Sequence, residues 1–224
     1  MALTIAADYY RRHNHPERAV TLYRSSIPYY EKTNSQKQLP IVLYNLALEY
    51  STSKIDGKED LLPLLERAVE LFQRDGVTED NAREKYAEAM NLLGEIYAEK
   101  EKVDKAISTL EKAQELFKKL ELPMGQASVL NNLGLAYEVG GNLKDSYKYY
   151  EESSVICKRE NDKSGEAISV GNIGLILVKM GEPVRALDAL RRSERLYDTA
   201  GVSTQDSSRM KVRNAISKLE KGEE

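Results

Sequence analysis

The stretch Asn131-Asn132-Leu133-Gly134-Leu135-Ala136-Tyr137 is one of a set. Forty residues earlier stands Asn91-Leu92-Leu93-Gly94-Glu95-Ile96-Tyr97, and forty later Gly171-Asn172-Ile173-Gly174-Leu175-Ile176-Leu177. Weaker copies run from Tyr44 to Tyr50 and from Thr4 to Tyr10, so that Ala7, Ala47, Gly94, Gly134 and Gly174 mark five turns of one repeat. A period of this length is the signature of a solenoid, in which each unit buries its apolar face only by stacking on its neighbours.

Each repeat reads as two helices. In the fourth, Leu130, Leu133 and Tyr137 fall at the 3 and 4 spacing of a buried helical face from Met124 to Val139. Gly134 lies inside that stripe, where glycine costs about 1 kcal/mol relative to alanine, and close approach of the paired helix is the expected reason. Gly140-Gly141-Asn142 then breaks the chain before a second helix, Leu143 to Glu160. The fifth unit repeats the plan over Ser164–Met180 and Val184–Tyr197, the third over Glu79–Lys100 and Val103–Leu120. The first reads as Ala2–His13 and Pro16–Lys32, with Pro28 expected to kink or end its second helix. In the second, Pro40–Ser51 and Glu59–Arg74, seven extra residues fall at Ser53–Lys58 and Asp75–Asn81; insertions in a solenoid map to loops. A last helix, Ser207 to Lys221, reads as a cap with Met210, Ile216 and Leu219 turned inward. The chain is thus expected to be one all-α domain over 1–224, with repeats at about 1–34, 38–76, 79–120, 123–160 and 163–200 and the cap at about 205–221.

Composition agrees: 41% apolar and 31% charged residues, with six prolines and thirteen glycines, suit a helical chain with solvated outer faces. The net charge of −3 argues against bulk nucleic-acid binding, although it is uneven. Glu49–Glu101 carries 14 acidic and 7 basic residues, and Lys179–Lys221 carries 10 basic and 6 acidic. The single cysteine, Cys157, excludes an internal disulfide and fits a reducing compartment; it reads as a packed small hydrophobe. No apolar run approaches a membrane span and no signal-peptide profile opens the chain. Cytoplasm is therefore the expected location, with nucleus or organelle as alternatives.

The units resemble tetratricopeptide repeats of the long, roughly 40-residue variety. The resemblance rests on the small residue followed three later by an aromatic (Ala47/Tyr50, Gly94/Tyr97, Gly134/Tyr137), and on the alanine twelve residues after it (Ala19, Ala106, Ala186, with Ser146 in the fourth copy). The Gly-Asn-Leu-Lys-Asp-Ser-Tyr run at 141–147 matches the family's turn into its second helix. In style of repeat the chain is similar to kinesin light chains and to the LGN/Pins adaptors. The resemblance implies a right-handed α-solenoid of five helix hairpins plus a C-terminal capping helix, whose first helices line a concave peptide-binding groove.

The stripes left over from packing lie where such a groove would be: Ser128, Asn131, Leu135 and Glu138 in the fourth repeat; Glu88, Asn91, Glu95 and Ala98, with Glu99 beside them, in the third; Ile41, Tyr44, Leu48 and Ser51 in the second; Thr4, Asp8 and Arg11 in the first; and Ile168, Gly171, Leu175 and Val178 in the fifth. The partner-binding set is therefore Tyr44, Leu48, Glu88, Asn91, Glu95, Glu99, Ser128, Asn131, Leu135 and Glu138. Asn91 and Asn131 are equivalent, and an amide both donates to and accepts from an extended backbone; the competing reading is that they bridge neighbouring helices. Glu88, Glu95 and Glu99 point to a protein or peptide ligand with basic residues. The family's carboxylate clamp for chaperone termini needs Lys and Asn where this chain has Thr4 and Asp8, and another Asn where it has Leu48, so that use does not fit.

Catalysis finds little footing. His13 and His15 have no Cys, Asp or Glu at ligand spacing, Gly140-Gly141 follows a helix and not a strand, and no cofactor motif occurs. The expected function is that of a non-enzymatic interaction adaptor or scaffold. The alternatives are an assembly or regulatory factor acting through the convex face and basic last helices, by self-association, and, against the net charge, RNA binding.

Overall fold

The computed structural model of the chain describes residues 2–33, 36–53, 55, 60–75 and 79–222. Among them lie eleven α-helices, one 3-10 turn at Gln36–Gln38 and no strand. They fall into two compact units, Met1–Ile96 and Tyr97–Glu224.

In the first unit α1 (Ala2–Arg12) packs on α2 (Pro16–Lys32), α2 on α3 (Leu39–Thr52), and α3 on α4 (Leu61–Asp75). The unit ends within α5 (Asp80–Glu99). The second unit holds α6 (Val103–Lys119), α7 (Pro123–Val139), α8 (Leu143–Arg159), α9 (Lys163–Lys179), α10 (Pro183–Thr199) and α11 (Ser207–Lys221), each packed on the next.

The hairpins have local causes. Pro16, Pro123 and Pro183 stand at the first turn of α2, α7 and α10, where a missing N–H costs nothing. From α5 through α10 every helix ends on a residue in the left-handed region: Glu101, Glu121, Gly141, Asn161, Gly181 and Gly201, at a spacing of twenty. The next residue's N–H returns to a carbonyl one turn inside the helix, as from Asn142 to Tyr137 (2.9 Å) and from Glu182 to Leu177 (2.9 Å), which is how a left-handed residue closes a helix. Asn142 and Asp162 then cap α8 and α9 by accepting from Asp145 N–H and Gly165 N–H.

The glycines explain how closely the paired helices meet. A Cβ on Gly134 would stand 2.6 Å from the ring of Tyr150, and one on Gly174 2.6 Å from Leu190. Close approach of the second helix is thus the reason for glycine inside α7 and α9.

Two expectations are corrected in part. α2 runs on to Lys32, so Pro28 does not end it early. Pro28 and Arg24, the residue one turn before it, are both exposed, so water can take the hydrogen bond that proline cannot make. In α11 it is Val212 that is buried, with Ala215, Ile216 and Leu219 partly so, while Met210 is 47% exposed. Arg209 takes the inward place beside it: its guanidinium donates to Glu194, to Asp198 and to the carbonyl of Val202 (2.6 Å), holding α11 on α10. The insertion at Ser53–Lys58 lies mostly, and that at Asp75–Asn81 partly, outside the described residues.

Candidate functional site

The first helices of the second, fourth and fifth hairpins, α3, α7 and α9, are buried around most of their circumference. On α7 Ala127, Val129, Leu130, Asn132, Leu133, Gly134 and Ala136 are buried, because α6, α8 and α9 all lie against it. Between its exposed ends, at Met124 and Val139, runs a narrow stripe with Ser128 exposed and Asn131, Leu135 and Glu138 half-buried. Its polar members are held in place. Asn131 Oδ1 accepts from Asn172 Nδ2 of α9 at 3.0 Å. The bridging reading of this asparagine is therefore correct for its oxygen, and the NH2 is the group it can offer elsewhere. Glu138 accepts from Tyr150 Oη on one oxygen (3.0 Å) and from Lys179 Nζ on the other (2.7 Å). Burial, and then the Glu138 carboxylate, push the Tyr150 phenol far above its ordinary value, so it stays a donor. In the same unit, at the end of α5, Glu99 is exposed and Ala98 buried.

In the first unit the stripe is less open than the sequence suggests. Tyr44 is only 5% exposed; its phenol is raised by burial and by Glu88, and Lys85 lies 5.9 Å from its ring centre. Lys85 Nζ also donates to Glu88 at 2.6 Å, so that carboxylate has a cation beside it already. Leu48, Asn91 and Glu95 are half-buried. On α1, Asp8 accepts from Tyr23 Oη (2.5 Å) and from Asn45 Nδ2 (3.4 Å).

The fifth stripe is partly covered, with Val178 left exposed. A Cβ on Gly171 would meet Val212 at 2.8 Å, and Ile168 and Leu175 pack into the cluster of Ala167, Leu190, Tyr197 and Val212. α11 covers that part, as the next hairpin would.

A cavity of about 170 Å³ opens beside the α7 stripe, between α7, α8 and α9. Met124, Ser128 and Ile168 form its rim, and Ser153, Cys157 and Ser169 its floor. Sequence reasoning took in Ser128 and Asn131 but missed the cavity. The signal was present in the residue eleven positions after the small residue of each second helix, where Tyr30, Phe117 and Tyr197 are rings and Cys157 is not. A wider, shallow cleft of about 350 Å³ lies at Asn14–Arg18 and Ile55. His13 Nδ1, outside that cleft, meets the Tyr9 carbonyl (2.8 Å) at the end of α1. No group of three metal-ligating side chains occurs among the described residues. None of the described helices is long and apolar enough to cross a membrane.

Two tetratricopeptide repeat models match, over residues 87–119 and 125–199. No curated protein matches the chain in sequence. Among solved structures it is similar to BtubC (BKLC) from P. vanneervenii, with 20% identity and TM-score 0.70, covering 91% of this chain and 82% of that one. It is similar to the nearly identical TPR-like repeats of a putative kinesin light chain from Podosopora anserina, with 16% identity and TM-score 0.66, covering 90% and 96%. A Rap protein complexed with Competence and Sporulation Factor shares 15% identity at TM-score 0.74, covering 97% of this chain but 61% of that one.

Proposed function

Because this chain is a tetratricopeptide repeat protein, we propose that it is a non-enzymatic adaptor or scaffold that binds an extended segment of a partner protein along the first helices of its hairpins. The observation that carries this reading is the α7 stripe. Ser128, Asn131, Leu135 and Glu138 stay at least partly open to solvent while seven residues of the middle of α7 are buried, and contacts to α8 and α9 fix the Asn131 and Glu138 side chains. Groups locked before a ligand arrives lose little entropy on binding. The Rap neighbour, structurally similar along nearly the whole of this chain, is itself complexed with a factor, which supports the same class of activity. In the second unit Glu99 joins the proposed residues; in the first unit, taken by itself, Leu48, Glu88, Asn91 and Glu95 are proposed as partner-binding, Tyr44 lying beneath them, and a ligand with basic residues remains part of the proposal.

The test is to pan a random-peptide phage library against the wild type and an Asn91→Ala/Asn131→Ala double variant. Peptides that bind the wild type and lose at least about tenfold in affinity for the variant support the stripe as the site. An empty selection, or peptides indifferent to the double variant, would overturn it.

A further inference from the structure

One residue position links all five repeats. In the first, third and fifth, the residue eleven after the small residue of the second helix is Tyr30, Phe117 and Tyr197; aligning Ala68–Phe72 with Ala113–Phe117 adds Phe72 in the second. The fourth repeat has Cys157. All five are buried. Four copies bury a ring, and one buries a thiol.

What the ring does is visible one repeat away. Phe117 lies over Gly125 so closely that a Cβ there would stand 2.2 Å from its ring. Forty residues on, Cys157 shares the corresponding place over Gly165 with the Asp162 carboxylate, Sγ standing 2.8 Å and Asp162 Oδ2 2.3 Å from where a Cβ would be. The packing partner has kept its glycine, but the side chain above it is far smaller. The space shows as the 170 Å³ cavity, and it opens at the rim where Met124 and Ser128 are exposed.

We infer that this cavity is the anchor subsite of the proposed groove and takes one aromatic side chain, phenylalanine by preference, from the bound peptide. The inference rests on the groove reading and makes it specific. Size fits, since an apolar cavity of about 150 Å³ holds a benzene ring. Polarity fits as well, because the serine hydroxyls of the floor are used internally. Ser153 Oγ donates to the Ala127 carbonyl (2.8 Å) and lies 3.0 Å from Ser169 Oγ, which reaches the Gly165 carbonyl (3.1 Å). Asp162 Oδ1 accepts from Gly165 N–H (3.0 Å). No buried hydroxyl in the floor is left for a polar ligand to satisfy, so an apolar ring meets no penalty of unmade hydrogen bonds. At the mouth, the NH2 of Asn131 is placed to donate to the backbone carbonyl of the segment carrying the ring. Burial raises the Cys157 thiol and keeps it a neutral wall.

Cys157→Phe tests this, since it supplies from within the ring that the partner would bring. The variant is expected to fold without loss of Tm, as Phe117 does over Gly125. N-acetyl-phenylalaninamide at millimolar concentration should shift the amide resonances of Ser128, Gly165 and Ile168 in the wild type and leave them still in Cys157→Phe. Peptides selected on the wild type should share an aromatic position and lose at least about tenfold in affinity for the variant. If Cys157→Phe does not fold, Ser128→Phe at the exposed rim should block the same shifts. Absent shifts in the wild type, or selected peptides that carry no shared aromatic, would overturn the anchor while leaving the groove standing. An empty selection with shifts intact would sink the groove and not the pocket.

Discussion

The first hairpin of the chain and the last are copies of one repeat, yet they are finished differently. In α1 and α2 the small residue at the crossing is Ala7, buried, and the outward residues Ile5 and Tyr9 are 65% and 56% exposed. In α9 and α10 the small residue is Gly174, pressed under Leu190, and α11 lies over Ile168, Leu175 and Tyr197. The first hairpin is tied by polar contacts, Tyr23 to Asp8 and Thr4 to Tyr30 (3.0 Å). The last is closed by an apolar cap clamped through Arg209 to Glu194 and Asp198. The difference teaches that a repeat's free face is set by the next helix in the chain. The α9 stripe has the pattern of a binding surface and is occupied in part by the chain itself.

Ending the chain after Asp206 would strip that difference away, and has the largest expected effect. Val212, Ile216 and Leu219 would no longer be buried, and at about 1.5 kcal/mol for a well-buried aliphatic side chain the loss is about 3 kcal/mol or more. Hydrogen exchange should show protection falling in α9 and α10 and not in α1–α3. An unchanged profile would show that α11 is no cap. Next in size is a pair of substitutions at the crossings. Gly174→Val should cost about 1–3 kcal/mol by overpacking against Leu190, and Ala7→Gly about 1 kcal/mol through helix propensity. Urea midpoints would check both, and a gain in stability from Gly174→Val would refute the close approach.

The smallest effect concerns Glu49, buried on α3. Burial raises its carboxyl above the ordinary range, with Arg11 opposing. A carboxyl raised in the folded state stabilises fully below its unfolded value and loses that contribution as pH climbs through the folded one. Glu49→Gln, which does not titrate, should therefore be more stable than wild type at neutral pH, with the gap closing below about pH 4. A gap that widened in acid would mean that the pairing with Arg11 outweighs burial. This carboxylate belongs to the first hairpins; Glu166, its buried counterpart on α9, is instead held by Arg192 (2.7 Å) and Lys163 (3.3 Å).

Much of the fold was legible in the chain. The predicted helices of the fourth repeat, 124–139 and 143–160, differ from α7 and α8 by one residue at one end each. The reasoning for Gly134 found its partner in Tyr150. Less could be read of the site. Tyr44 carries the pattern of a surface residue, but Lys85 and Glu88 of α5 close over it. Met210 and Val212 differ by half a turn of α11, and the rotation that buries Val212 goes with the apolar cluster under it and the ion pairs of the buried Arg209. Glu101 and Glu121 take left-handed turns that the sequence marks with no glycine.

By itself, the sequence determined the repeat, the hairpins and the side of each helix that must be buried, because helical periodicity and the interruption by small or turn-forming residues are local properties of the chain. The tertiary structure decided which of the remaining faces stay open. That depends on volumes summed over three helices at once: α11 fills the space above Gly171, while Cys157, in the place of a ring, leaves a cavity between α7, α8 and α9.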